Sequence, residues 1–224
     1  LISTLAKELS KFLGYRFIDT GAMYRAVALF ALQNGLVNSG KVDKKALIDR
    51  LPQIDLRFVF NPQSQASEMH LNGENVETAI RQPRVSEVVS LVAVIPEVRK
   101  KLVAQQHEMG KEKNLVMDGR DIGTVVFPQA ELKIFMTAPA DIRAKRRYEE
   151  LKKKGEEVSY QEVYENVLER DRIDSSRSQS PLKKAPDARV LDNGQLKRDE
   201  QFELALSRAL KAIEKASNLK PERF

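Results

Sequence analysis

The stretch 114–128, "NLVMDGRDIGTVVFP", closes an apolar run with two carboxylates and an arginine, Asp118, Arg120 and Asp121. Charges of both signs at the end of a buried strand suit the holding of a charged ligand. A carboxylate in that place orients Mg2+ or its waters in nucleotide-hydrolysing α/β folds, which makes Asp118 a metal-side candidate. Its plainer reading is a cap or turn former before Gly119. More arginines stand in "DTGAMYR" (19–25) and "RDRIDSSR" (170–177). Arg170, Asp174 and Arg177 are spaced i, i+4, i+7 and share one face if a helix runs through them. That row can also be a solvated ladder. Together, however, Arg25, Arg120, Arg170 and Arg177 attach to strand ends or helix faces that can converge on one cleft. Guanidinium groups grip phosphate oxygens bidentately and keep their charge, so the chemistry favoured is the clamping of a phosphoryl group as charge builds on it.

Composition narrows the classes. The 224 residues include no cysteine, which removes disulfide scaffolds and thiolate chemistry and fits a reducing cytoplasm. No apolar run is long enough to cross a membrane. The two histidines lack metal-ligand spacing, and Ser175 and Ser176 have no histidine partner for hydrolase chemistry. A formal charge of +6 favours a phosphate-bearing partner, nucleic acid or nucleotide. The aromatic residues do not alternate with the basic ones as on a single-strand binding platform, which weakens the nucleic-acid reading.

The elements that must position these residues alternate. "YRFID" predicts a short buried strand and 22–34 a helix stopped by Gly35; "NSGKVD" reads as a loop. Strands follow over 54–60 and 68–77, the latter turning at Asn72-Gly73. Helices are expected over 79–94 and 96–110, then buried strands at 114–118 and 132–138. A basic helix (139–155), a charged helix (159–174), a strand (188–193) and a last helix (200–216) complete the chain. This order predicts a doubly wound parallel α/β sheet with a hairpin-rich insert. The basic helix is either a solvated face or a lid whose Arg143, Arg146 and Arg147 close over polyphosphate.

"DTGAMYR", "DGRDIGTVVFP", "RDRIDSSR" and "SPL" (180–182), in this order and spacing, resemble the bacterial cytidylate kinases, and the similarity runs from residue 1 to about 213. The resemblance implies a P-loop NTPase-type doubly wound sheet with an inserted NMP-binding subdomain and a helical lid. In this sequence that places core at 1–27, the insert at 28–110, core at 111–145, the lid region at 146–170 and the last core segment at 171–224. It implies transfer of a phosphoryl group from ATP to CMP and dCMP with Mg2+, in a cytoplasmic monomer that engages neither nucleic acid nor membrane. By motif, Thr20, Arg25, Arg120, Arg170 and Arg177 would hold the CMP phosphate, with Arg120, Arg170, Arg177 and Asp118 as the catalytic set. Thr20 stands where the family often has serine, so a hydroxyl is kept. Asp174 would accept from the ribose hydroxyls. Ser90, Arg99 and Asp121 would read the base. A carboxylate at Asp121 can accept from the cytosine amine while Arg99 donates to N3 or O2; uracil would set a carbonyl against that carboxylate.

One family feature falls outside the sequence given. The glycine-rich phosphate loop ending Gly-Lys-Ser/Thr should stand just before the first helix, whereas the sequence opens at Leu1. The loop is expected upstream, and a chain starting at Leu1 is expected to transfer essentially no phosphate. Two alternatives remain: a kinase for another nucleoside monophosphate such as UMP, and a basic nucleic-acid-binding protein.

Overall fold

The computed structural model describes residues 2–153, 155–177 and 180–218. Helix α1 (Ile2–Leu13) opens the chain and ends at Gly14, whose φ of 65° is the left-handed value glycine adopts without cost. Strand β1 (Arg16–Asp19) runs directly into α2 (Thr20–Gln33). The change of element in one residue is possible because Asp19 is the N-cap: its Oδ1 accepts from Ala22 N–H at 2.9 Å.

The loop expected at 38–43 is instead part of a tight hairpin, β2 (Val37–Asn38) and β3 (Lys41–Val42), turned on the positive φ of Ser39 and Gly40. A further helix not expected from the pattern, α3 (Lys44–Arg50), follows it, capped by Asp43. Strands β4 (Leu56–Asn61), β5 (Ala66–Leu71) and β6 (Glu74–Asn75) form an antiparallel sheet. The β5–β6 turn is Asn72-Gly73, both residues at positive φ, as two-residue hairpins require. A single 3₁₀ turn, Ala79–Arg81, then precedes α4 (Pro83–Ala93) and α5 (Pro96–Gly110). The predicted helix 79–94 is thus shorter, because Pro83 is tolerated in the first turn and not within.

Strand β7 (Leu115–Asp118) pairs parallel with β1, setting Asp19 opposite Asp118. Past it the chain makes a π-helical turn, Ile122–Val126, then β8 (Ile134–Thr137), α6 (Ala140–Lys153), α7 (Tyr160–Ser176), β9 (Arg189–Asp192) and α8 (Arg198–Asn218). Strands β8 and β9 are also parallel. The residues of β7 and β8 are mostly half-buried, not covered on both faces as their apolar character suggests. Each has one hydrogen-bonded neighbour among the described residues, which leaves an edge of the strand open.

The chain divides into two compact units, one formed by residues 10–119 and one by the residues up to Leu9 together with those from Arg120 onward. The first holds the larger core: α2 is buried almost all round by Met23, Val27, Leu29 and Phe30, against Leu47, Leu56, Met69, Ile80, Val85, Val98 and Leu102. Burying side chains of this size stabilises by about 1.5–3 kcal/mol each before entropy is counted. The second unit has a smaller centre, where Leu5, Leu191 and Ala205 meet Ile134, Met136 and Phe202.

Candidate active site

In the unit formed by residues 10–119, the paired ends of β1 and β7 carry the candidate groups. Thr20 is buried and its Oγ1 donates to the Asp118 carbonyl at 2.7 Å, which ties the two strand ends together. Asp19 is only 6% exposed. Its Oδ2 accepts from Arg81 Nη2 at 2.8 Å, and Arg81 also donates to Glu77 Oε1 from Nη2 at 2.7 Å and from Nε at 3.3 Å. Burial works against the charged form of Asp19, but Arg81, by charge and hydrogen bond, Arg25 by charge, and the Ala22 amide outweigh it and hold the carboxyl below its ordinary value of 3.8. Arg25 lies beside this carboxylate. A Cβ on Gly21 would stand 3.1 Å from Asp19 Oδ1 and 3.2 Å from Arg25 Nη1, so glycine lets the two approach.

Ser90 and Arg99, on α4 and α5, are both buried. The Arg99 guanidinium lies 5.7 Å from the Tyr24 ring centroid and donates from Nη1 to the Ala93 carbonyl at 3.3 Å. Stacking and a carbonyl contact fix the plane of the fork.

In the other unit the arginine row is built as its spacing predicts. Helix α7 starts at a capping box, Ser159 with Glu162, and continues to Ser176, so Arg170 and Asp174 are helical and Arg177 follows as the C-cap. Asp174 is 4% exposed and holds two arginines. Arg120 Nε donates to its Oδ2 at 3.0 Å, and Arg177 Nη2 donates to its Oδ1. The Arg177 side chain is 7% exposed whereas that of Arg120 is 40% exposed, so one guanidinium is fixed and the other faces outward. "SPL" has a structural part in this: Leu182 N–H donates to the Asp174 carbonyl at 2.7 Å, folding the chain back over the helix end. Asp121 is buried, and its carbonyl accepts from Thr124, Val125 and Val126 N–H to form the π-helical turn.

The lid candidates do not gather on one point. Arg143 makes a two-pronged pair with Asp171 at 2.9 and 2.6 Å and donates from Nε to the Ala138 carbonyl. Arg146 grips Asn193 through its side-chain oxygen at 2.6 Å and its carbonyl at 2.9 Å. Arg147 meets Glu150 one turn along at 3.0 Å.

Three residues of these clusters are given no role by the motif reading: Asp19 and Tyr24, which lie inside "DTGAMYR", and Arg81, which lies outside every motif. Asp19 and Arg81 stand 62 positions apart, and nothing in either segment announces the other. Tyr24 had a signal, an aromatic hydroxyl directly before Arg25 in a helix made mostly of small and aliphatic side chains.

Carboxylates at parallel strand ends, with arginines collected on two buried aspartates, define a phosphate-handling α/β protein. The cytidylate kinase family profile matches residues 2–211. The chain is 58% identical over 204 residues to a cytidylate kinase of Flavobacterium psychrophilum, spanning 91% of this chain and 90% of that protein. It is 52% identical over 211 residues to one of Bacteroides fragilis (94% and 92%), and 48% identical over 195 residues to one of Porphyromonas gingivalis (87% and 84%). The chain belongs to the cytidylate kinase family, and its mixed α/β architecture with parallel strand pairs is consistent with a P-loop nucleoside monophosphate kinase.

Proposed function

We propose that this protein transfers the γ-phosphoryl group of ATP to CMP and dCMP, giving CDP or dCDP and ADP, with the side chains above as its acceptor site. The observation that carries the site assignment is Asp174, a buried carboxylate holding Arg120 and Arg177. The acceptor phosphate is already anionic, so in-line attack needs no general base; catalysis is positioning and electrostatic stabilisation. Arg120, Arg170 and Arg177 would hold the acceptor phosphate, and by motif Thr20 and Arg25 are also assigned to it. Asp174 would exchange part of its arginine contact for the ribose hydroxyls. Ser90, Arg99 and Asp121 would read cytosine, and segment 28–110 would serve as the acceptor-binding insert.

Among the described residues no group of three or more His, Cys, Asp or Glu gathers into a metal site. A single carboxylate, with phosphate oxygens and water for the rest, is the donor set Mg2+ favours, so Asp118 fits as its protein-side anchor. The bound ion would neutralise charge on the transferring phosphates. Of the lid candidates, Arg147 is the cheapest to redirect towards ATP, because its i,i+3 pair with Glu150 is partly exposed and such pairs are worth only about 0.3–0.5 kcal/mol. Arg143 and Arg146 would first have to release stronger partners. No helix among the described residues is long and apolar enough to cross a membrane. We place the enzyme in the cytoplasm, where its nucleotide substrates are, acting as a monomer without nucleic acid.

The test is ADP release by the full-length protein with MgATP and CMP, dCMP, UMP, AMP and GMP in turn. Strong preference for CMP and dCMP is the expected result. Preference for another nucleotide would overturn the roles given to Asp121 and Arg99. Steeply salt-dependent oligonucleotide binding with no turnover would favour a nucleic-acid-binding protein instead.

A further inference from the structure

We infer that Lys133, which lies outside every motif above, is a positioning residue for base discrimination: its side chain sets the place of the π-helical turn that carries Asp121. The inference rests on the reading of Asp121 as a residue that reads the base.

Lysine is seldom buried unless its charge is paired, and the Lys133 side chain is only 8% exposed. Its ammonium donates to both oxygens of Asp187, at 2.9 and 2.7 Å, and to the Pro128 carbonyl at 2.5 Å. An ammonium has three hydrogens to give, so the head group is fully committed. The stem is committed as well. A Cβ on Gly123 would stand 3.1 Å from Lys133 Cδ and 3.4 Å from its Cγ, so the methylenes lie against the backbone of the π-helical turn. The root is fixed by the Lys133 carbonyl, which accepts from Arg189 N–H at 2.8 Å where β9 runs beside β8. Lys133 therefore crosses from the entry of β8, over the turn at Gly123, to the exit of the turn at Pro128. Asp121 is part of what it holds. The Asp121 carbonyl accepts from the N–H groups of Thr124, Val125 and Val126, so its backbone moves with the turn. A shift of the turn displaces the carboxylate with it, and a misplacement of about 1 Å can cost up to about a hundredfold. Lys133 thus acts on base reading through the backbone of Asp121, without touching the substrate.

The experiment is steady-state kinetics of the full-length protein at saturating MgATP, with CMP and UMP varied in turn, beside a thermal melt of each variant. Lys133→Met keeps the stem and removes the clamp. Gly123→Ala keeps the clamp and presses on a stem that is pinned at both ends, so the turn gives way instead. We expect the CMP-over-UMP ratio of kcat/KM to fall about tenfold in Lys133→Met and a few-fold in Gly123→Ala. The fall should come from a raised KM for CMP, with kcat changed much less. The decisive result is Gly123→Ala in a Lys133→Ala background. The stem it presses on is gone there, so the added methyl should lower the ratio no further. A brace that served stability alone would lower the melting temperature and leave the ratio where it is. An unchanged ratio in Lys133→Met, or a Gly123→Ala loss that persists in full beside Lys133→Ala, overturns the inference. If the Lys133 variants do not fold, Gly123→Ala decides alone: a lowered ratio supports the inference and an unchanged one overturns it. Asp121→Asn separates the two levels. An unchanged ratio there removes the base reading of Asp121 and the inference with it; a fall there with none in Lys133→Met removes the inference alone.

Discussion

Asp19 and Asp174 are buried to nearly the same degree, and both sit among arginines, but they are held by different kinds of partner. Asp19 gives one oxygen to a backbone amide, and its Arg81 is itself pinned by Glu77. Asp174 gives both oxygens to arginine side chains, one of them 40% exposed. The backbone contact makes Asp19 part of the fold, since removing it uncaps α2. The contacts of the Asp174 carboxylate are side chain to side chain, and on the proposed reading a phosphate or a ribose would replace either end of them. A buried acid is built into the scaffold when the chain itself donates to it, and is open to exchange with substrate when only long side chains do.

The largest effect should come from the exchangeable side. Arg177→Ala is expected to lower kcat/KM by about 2–4 kcal/mol, the cost of removing one electrostatic donor from a developing charge. Near-normal turnover would place Arg177 with the scaffold and erase the contrast. On the built-in side, Asp19→Ala loses a cap worth about 1 kcal/mol and the partner of a partly exposed arginine, about 2 kcal/mol together. In a chain of this size that lowers Tm by roughly 4–8 °C, which a thermal melt reads directly. A melt unchanged by Asp19→Ala would make Asp19 as replaceable as Asp174.

Gly21→Ala sharpens the comparison more finely. Alanine is favoured over glycine in a helix by up to about 1 kcal/mol, but its Cβ stands 3.1 Å from Asp19 Oδ1 and 3.2 Å from Arg25 Nη1. Stability should stay within about 1 kcal/mol of wild type while KM for CMP rises a few-fold, because the tip of Arg25 must give way. The smallest effect is in acid. The Asp19 carboxyl titrates below its ordinary 3.8, so its contribution is complete above that value and drains as pH falls through the lower folded one. The Tm gap between wild type and Asp19→Asn should be constant near pH 6 and narrow below about pH 4. A gap that persists unchanged into acid would mean that the Arg81 pairing contributes nothing.

What could be read from the sequence follows from how local each signal was. The Asn72-Gly73 turn, the helix opened at Pro96, and the Arg170–Asp174–Arg177 row each depend on neighbours within one or two turns. Helix α3 escaped because its seven residues bury only Leu47, too few to show a period. The π-helical turn escaped because it is held by backbone bonds to the Asp121 and Ile122 carbonyls, which no side-chain pattern reveals. The Asp174 cluster was half legible: the spacing gave Arg177, while Arg120 comes from 54 positions away. The relay through Asp19, Arg81 and Glu77 was legible only as three separate charges, since the contact that gives them meaning is set by the packing of α2 against the β5 sheet and the turn after it.

The pairing of Arg143 with Asp171 joins α6 to α7 by two parallel bonds, and Tyr148 meets Tyr160 edge to face with ring centroids 6.1 Å apart. Helices fastened at two points do not fray independently; they open as one cooperative segment. Amide deuterium uptake along 140–176 should therefore follow a single protection step in both helices, and Arg143→Ala should split it into two.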